Sequence, residues 1–227
     1  MYVAALAMLY FFLGQPLPTF AQEPVEAAYV RGHFSDGSGV WRADDFGWFY
    51  YDLDENLGGE QLHIDVQGRV ADKGHIVYSS ETWSRQFEYK PWGSYQVVAF
   101  LGKLYLAGYQ DSSLTDDVSS LEKGDLRAVL LDEERTITLT ANTSLPLQED
   151  YMLKALEVSE KKGVVNFELQ KDGKPVYATA VSIGDTFVYK VNDVPVILVH
   201  LANAMRSNDL GFAEVDAIFQ VSCEPSV

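Results

Sequence analysis

Cysteine and positive charge are both scarce in this sequence. Its 227 residues include one cysteine, Cys223. That excludes an intramolecular disulfide and any cysteine-based zinc cluster. Lysine and arginine total 17 against 33 acidic residues, a formal charge of −16. A chain this acidic is no general nucleic-acid binder, because such proteins need a basic stripe to displace phosphate counterions. It is equally unsuited to docking on anionic lipid. After residue 22 no apolar run approaches the length of a membrane span. HExxH, GxSxG, P-loop and GxGxxG patterns are all missing, and no histidine pair has the i, i+4 spacing of a helical zinc site. What is present is apolar mass: 47% hydrophobic and 13% aromatic residues. That is enough to build a core, in one domain or two.

The N-terminus reads as a targeting segment. Val3 to Leu13 is apolar and uncharged, and Gly14, Pro16 and Pro18 interrupt it. Thr19-Phe20-Ala21 then offers small residues at −3 and −1 of a cleavage point. The expectation is a signal peptide over residues 1–21 and an exported, soluble mature chain that keeps the whole −16 charge. No basic residue precedes the apolar run, and a short amphiphilic N-terminal anchor is the other reading.

The remainder alternates with a period of two and is rich in β-branched and aromatic residues. Strands are expected at 28–34, 46–53, 61–66, 77–78, 85–89, 95–101 and 103–109. Further strands are expected at 127–132, 135–142, 151–159, 163–171, 174–182, 186–191, 195–201 and 215–222. Gly102 and Asp172-Gly173 mark tight hairpins. Helix is confined to a turn or two in 112–121 and one in 202–207. The predicted fold class is therefore all-β: two β-sandwich domains with little helix. The first takes residues 27–138 plus 195–223, and the second, smaller one takes 139–194 as an insertion. A simple split near residue 140 is the alternative.

Several segments resemble a known family. Phe49 to Leu62 (FYYDLDENLGGEQL), Trp92 to Tyr109 and Val129 to Leu139 are similar, in order, to the S-layer family duplication domain of Methanosarcina-type archaea. Tyr189 to Arg206 and Val215 to Ser222 continue the likeness. It covers roughly residues 28–222. The resemblance implies paired β-sandwich domains, export to the cell surface, assembly into a two-dimensional coat that acts as a molecular sieve, and general glycosylation. Coat proteins of this kind usually carry two copies of the domain and a C-terminal membrane helix. This chain holds one copy and ends at Val227, so it is expected to be either a coat subunit or an accessory of the coat.

Chemistry-bearing residues are few. Asp52-x-Asp54-x-Asn56 begins like a calcium loop, but position 6 is Leu57 and position 12 is His63, so an EF-hand fails. A looser Ca2+ site from Asp52, Asp54 and Glu55, structural or assembly-promoting, competes with a solvated acidic turn. Glu133-Glu134 and Asp116-Asp117 read as turn charges. His63 belongs on a polar strand face, and His200, in an apolar run, reads as a satisfied core histidine. Asn142-Thr143-Ser144 is the sole glycosylation sequon, with Asn142 as acceptor. Cys223 is expected exposed or frayed, either as an intermolecular or thioether link or as an idle thiol. Trp48 is expected in the core; Trp41 and Trp83 lie among polar residues.

Two functions compete. One is a structural, glycosylated surface-layer component whose partners are itself or other S-layer subunits. The other is a secreted carbohydrate- or ligand-binding module, which needs a concave aromatic patch. No catalytic constellation and no cofactor is indicated. A glycoside hydrolase would need two facing carboxylates in a cleft.

Overall fold

The computed structural model describes residues 39–65, 74–110, 113–115, 117–140, 143–159, 163–207 and 210–225. The signal-peptide segment, the expected strand at 28–34, Asp116 and Asn142 lie outside the described residues. Strands β1 (Gly39–Arg42), β2 (Glu60–Ile64) and β3 (Ile76–Ser80) form a three-stranded sheet in that order. A large sheet contains β4 (Thr82–Gln86), β5 (Ser94–Phe100), β6 (Lys103–Tyr109), β7 (Val118–Ser119) and β8 (Arg127–Thr140). A small sheet contains β9 (Ser144–Pro146), β10 (Tyr151–Ser159), β11 (Val164–Lys171) and β12 (Lys174–Ser182). The chain then returns to the large sheet with β13 (Thr186–Val191), β14 (Val194–Ser207) and β15 (Leu210–Val221). The large sheet runs β13-β14-β15-β8-β6-β5-β4, with β7 beside β6, and the small one runs β12-β11-β10-β9. Pairing is antiparallel throughout.

The fold is all-β, as alternation in the sequence requires. In β11, Val165, Phe167 and Leu169 are buried while Asn166 and Glu168 turn the other way. They face the large sheet, where Phe167 meets Phe187 edge-on at 5.9 Å. One hydrophobic cluster joins both sheets, with Leu153, Val165 and Leu169 on one side and Leu201, Val215 and Leu139 on the other. β14 is buried continuously from Val194 to Leu201, the pattern of a strand covered on both faces. An aromatic group extends this core beneath β5: Phe87 lies 4.6 Å from Tyr95 and 4.9 Å from Phe219. Within 139–194, the stretch read as a smaller domain, β9 to β12 form the small sheet and β13 belongs to the large one.

Both expected tight turns form. Leu101-Gly102 and Asp172-Gly173 have positive φ at both residues (48° and 77°; 51° and 73°), the type I′ signature. Asn192-Asp193 makes a third such turn (51° and 65°).

Four local expectations are corrected. Residues 46–53 form turns, with Phe46 and Asp45 N–H groups both donating to the Arg42 carbonyl. Their aromatics are consecutive, not alternating, and pack as a local cluster in which Phe46 touches Trp41 and Phe49 at 4.9 Å each. β8 is one strand through Glu133-Glu134, which sit opposite Ile218 and Ala217 beside a register shift and not in a turn. Residues 202–207 extend β14, because Ala213 to Leu210 of β15 offer a continuous partner. The helical turn expected within 112–121 falls at α1 (Ser120–Lys123), one turn capped by Ser119 and closed by left-handed Gly124.

Candidate assembly surface

The residues proposed for calcium are placed in a surface loop closed by the Asp52–Leu57 bridge. Asp52 Oδ1 accepts the backbone N–H groups of Asp54 and Glu55, a local turn. Its Oδ2 accepts from the Tyr50 hydroxyl at 3.5 Å and pairs with Arg85 at 3.6 Å. Asp54 and Glu55 lie exposed at the loop tip. Partial desolvation by the loop, followed by the Asp52 charge, raises the Glu55 carboxyl above its ordinary value. Among the described residues no group of three His, Cys, Asp or Glu side chains is arranged to hold a metal ion.

The most buried charged groups act as staples. Glu60, 1% exposed, accepts from Tyr50 N–H (2.6 Å), Tyr78 hydroxyl (2.7 Å) and Gly102 N–H (3.0 Å). It thereby fastens the three-stranded sheet to the β5–β6 hairpin. Arg127, fully buried, donates to the carbonyls of Ser222 and Cys223 and pairs with Asp125 at 2.9 Å. Glu149 completes this clamp by accepting from Ser222 Oγ and Cys223 N–H. Cys223 is consequently buried, not frayed, and burial pushes its thiol up. That removes it from the role of surface link. Asp132 accepts from Tyr95 hydroxyl (2.8 Å) and Glu88 N–H (3.1 Å), yet burial raises its carboxyl to about 6.

His63 lies exposed on β2, as expected. His200 is buried and satisfied: Nδ1 lies 2.6 Å from Asp216 Oδ1, and Nε2 lies 3.2 Å from the Gly184 carbonyl. Tyr89 stacks on its ring at 4.6 Å. Trp92 is buried, Trp41 and Trp83 are half-buried, and Trp48 is 82% exposed, against the expectation of a core position. Trp48 sits in a turn whose carbonyl lies against Gly102, which leaves the ring outside. It lines neither of the two clefts described here.

The first cleft, about 560 Å³, is walled by Tyr177 and Thr179 to Ser182 of β12 and by Tyr89, Pro91 and Trp92. Thr186, Val188 and His200 form its floor. The second, about 510 Å³, lies between Arg85, Lys103 and Ala128 to Asp132. Each lining contains a single carboxylate, Asp185 or Asp132, so neither supplies the facing pair that glycoside hydrolysis uses.

The surface that stands apart is the β12 side. β12 ends the small sheet, β13 ends the large one, and Ile183 to Asp185 carry the chain from one to the other. Eight of the nine β12 residues are more than marginally exposed, among them Val176 and Tyr177. Beyond Lys174 the edge carries no charge, and long edges of this kind are ready templates for another strand.

The sequence matches the S-layer protein family over residues 31–227. The chain belongs to the S-layer protein family. It is similar to the Major S-layer protein of Methanosarcina barkeri (strain Fusaro / DSM 804), 26% identical over 207 residues. That match covers 85% of this chain and 30% of the relative. The Major S-layer protein of Methanosarcina acetivorans is 26% identical over 211 residues, with the same coverage. That of Methanosarcina mazei is 24% identical over 208 residues. This S-layer chain thus spans about three-tenths of the length of the curated relatives it matches. The family is a structural one of the cell surface. No helix among the described residues of the S-layer chain is long and apolar enough to cross a membrane.

The staples were invisible to sequence reasoning. Glu60 and Arg127 carry no local motif; their partners lie up to 42 and 96 residues away. For Arg127 the one available signal is a charged residue opening an apolar run, which is weak.

Proposed function

We propose that the chain is a structural component of an extracellular surface layer, a self-associating acidic β-protein and not an enzyme. The observation that carries this is the family match across residues 31–227. The chain's excess of acid over base supports a hydrated, negatively charged layer that repels anions and admits cations. The same charge keeps subunits apart until cations screen them, so assembly follows ionic strength. Calcium acts by screening; Asp52 is already committed to its turn and to Arg85. Its partners are further copies or other S-layer subunits, and Asn142 carries a glycan.

Negative-stain electron microscopy of the purified chain, titrated with calcium and with sodium chloride, tests the reading. Ordered sheets or large oligomers are expected as either salt rises, with sodium chloride substituting for calcium at higher concentration. A monodisperse monomer under every condition would overturn it.

A further inference from the structure

We infer that β12 is the strand through which two copies of this chain meet, edge to edge and antiparallel, about a two-fold axis at Ala180. The inference rests on the surface-layer reading and specifies its contact.

The backbone supplies the first argument. Ile183 N–H donates to the Gly163 carbonyl at 2.8 Å. Antiparallel pairs alternate between bonded and non-bonded. Val181, Thr179 and Tyr177, opposite Val165, Phe167 and Leu169, therefore turn their N–H and C=O groups toward β11. Ala180 and Ala178 turn theirs to the open edge, as does Ser182, whose carbonyl already accepts the Asp185 N–H at 3.0 Å and would be shared. Among the described residues no strand pairs with that edge. Placing the axis at Ala180 sets Ala178 of each copy opposite Ser182 of the other and uses these three residues alone. Pro175, which has no N–H to offer, falls outside the ladder.

Charge says what covers the edge. The whole chain carries 33 acids against 17 bases, but residues 174–191 contain two lysines, Lys174 and Lys190, and one acid, Asp185. Copies of an acidic molecule repel less at such a side than over the chain as a whole. In the two-fold register no like charges oppose one another, and Lys174 of each copy approaches the Asp185 end of the other.

The cleft supplies the third argument. Tyr177, Thr179 and Val181 face it beside Tyr89, Pro91 and Val188. An added strand presents alternate side chains to the same face. Those of the second copy therefore enter the cleft mouth, as in strand addition generally, where the backbone gives affinity and the pocket gives register. The contact is isologous and closes on itself, so it makes dimers, and a second contact must propagate the sheet.

The test uses the full chain. Ala180→Pro deletes an N–H that points to solvent, so the β11 ladder stays intact. It is expected to melt within a few degrees of wild type yet remain monomeric by light scattering where wild type dimerises or forms sheets. In a Cys223→Ser background, Ala180→Cys is expected to give a disulfide-linked dimer under mild oxidation, because bonded antiparallel pairs stand within disulfide reach. Val176→Cys, off the axis, should cross-link at least tenfold more slowly. If wild type assembles, Ala180→Pro assembles equally well and Ala180→Cys fails to cross-link, the edge contact is wrong and the coat reading stands. If wild type is monomeric under every salt condition, both fall.

Discussion

Glu60 gathers two loops and a strand on a single carboxylate, beside the Tyr78–Phe100 ring contact at 5.5 Å. It receives three donors from three separate segments, all through bonds between 2.6 and 3.0 Å. Glu60→Gln turns an amide N–H2 toward at least one backbone N–H and leaves buried donors unpaired. The expected loss is about 2 kcal/mol of unfolding free energy, read by urea titration. Asp132 makes a different prediction. Burial raises its folded carboxyl to about 6, whereas in the unfolded chain it titrates near ~4. Between those values the folded state holds a proton that the unfolded chain has released. Its contribution therefore favours folding below about pH 4 and is lost as the pH rises through 6, on the order of 2 kcal/mol. Asp132→Asn should flatten the stability profile across that window. Neither residue was readable in the sequence. Tyr95 and Glu88 reach Asp132 across 37 and 44 positions, and only the completed sheet brings them together. His200 was readable, because an isolated polar residue in an unbroken apolar run has to find its partners inside.

At the scale of elements, turn chemistry was more legible than strand length. Two-residue loops with positive φ need residues that tolerate it, so Gly102 and Asp172-Gly173 announced themselves. They differ in what a side chain would meet. A Cβ at Gly173 finds nothing within 4 Å, while one at Gly102 lands 2.3 Å from the Trp48 carbonyl. Gly173→Ala should cost about 1 kcal/mol for the left-handed backbone alone. Gly102→Ala should cost about 3 kcal/mol or more, because backbone must move as well. Parallel denaturation curves check the ranking. The strand expected at 46–53 failed for a physical reason. Aromatic content raises β propensity, but among the described residues no strand pairs with this stretch, and its rings pack on one another instead. Conversely, β14 outran its apolar run to Ser207 because β15 supplied a ladder that local sequence does not record.

Across the whole molecule, charge is the dominant quantity. A net −16 on a chain of this size disfavours the compact state through self-repulsion. Raising sodium chloride from ~10 mM to ~150 mM shortens the screening length from ~30 Å to ~8 Å. The melting temperature should rise by several degrees over that range and level off beyond it, as calorimetry can record. The all-β class and the family were legible from ordered segments spread along the chain. The sharing of one core between two sheets was not, since hydrophobic alternation tells a strand which face to bury but not against which partner.

The clamp at Ser222 and Cys223 has a mechanical consequence. β15 lies inside the large sheet, bonded to β14 on one side and to β8 on the other. Arg127 of β8 and Glu149 in the turn before β10 grip its exit from two sides. A pull arriving through residue 224 cannot peel a strand from an edge. It must break both flanking ladders and a buried charge clamp together, so the load is shared and the rupture force is high.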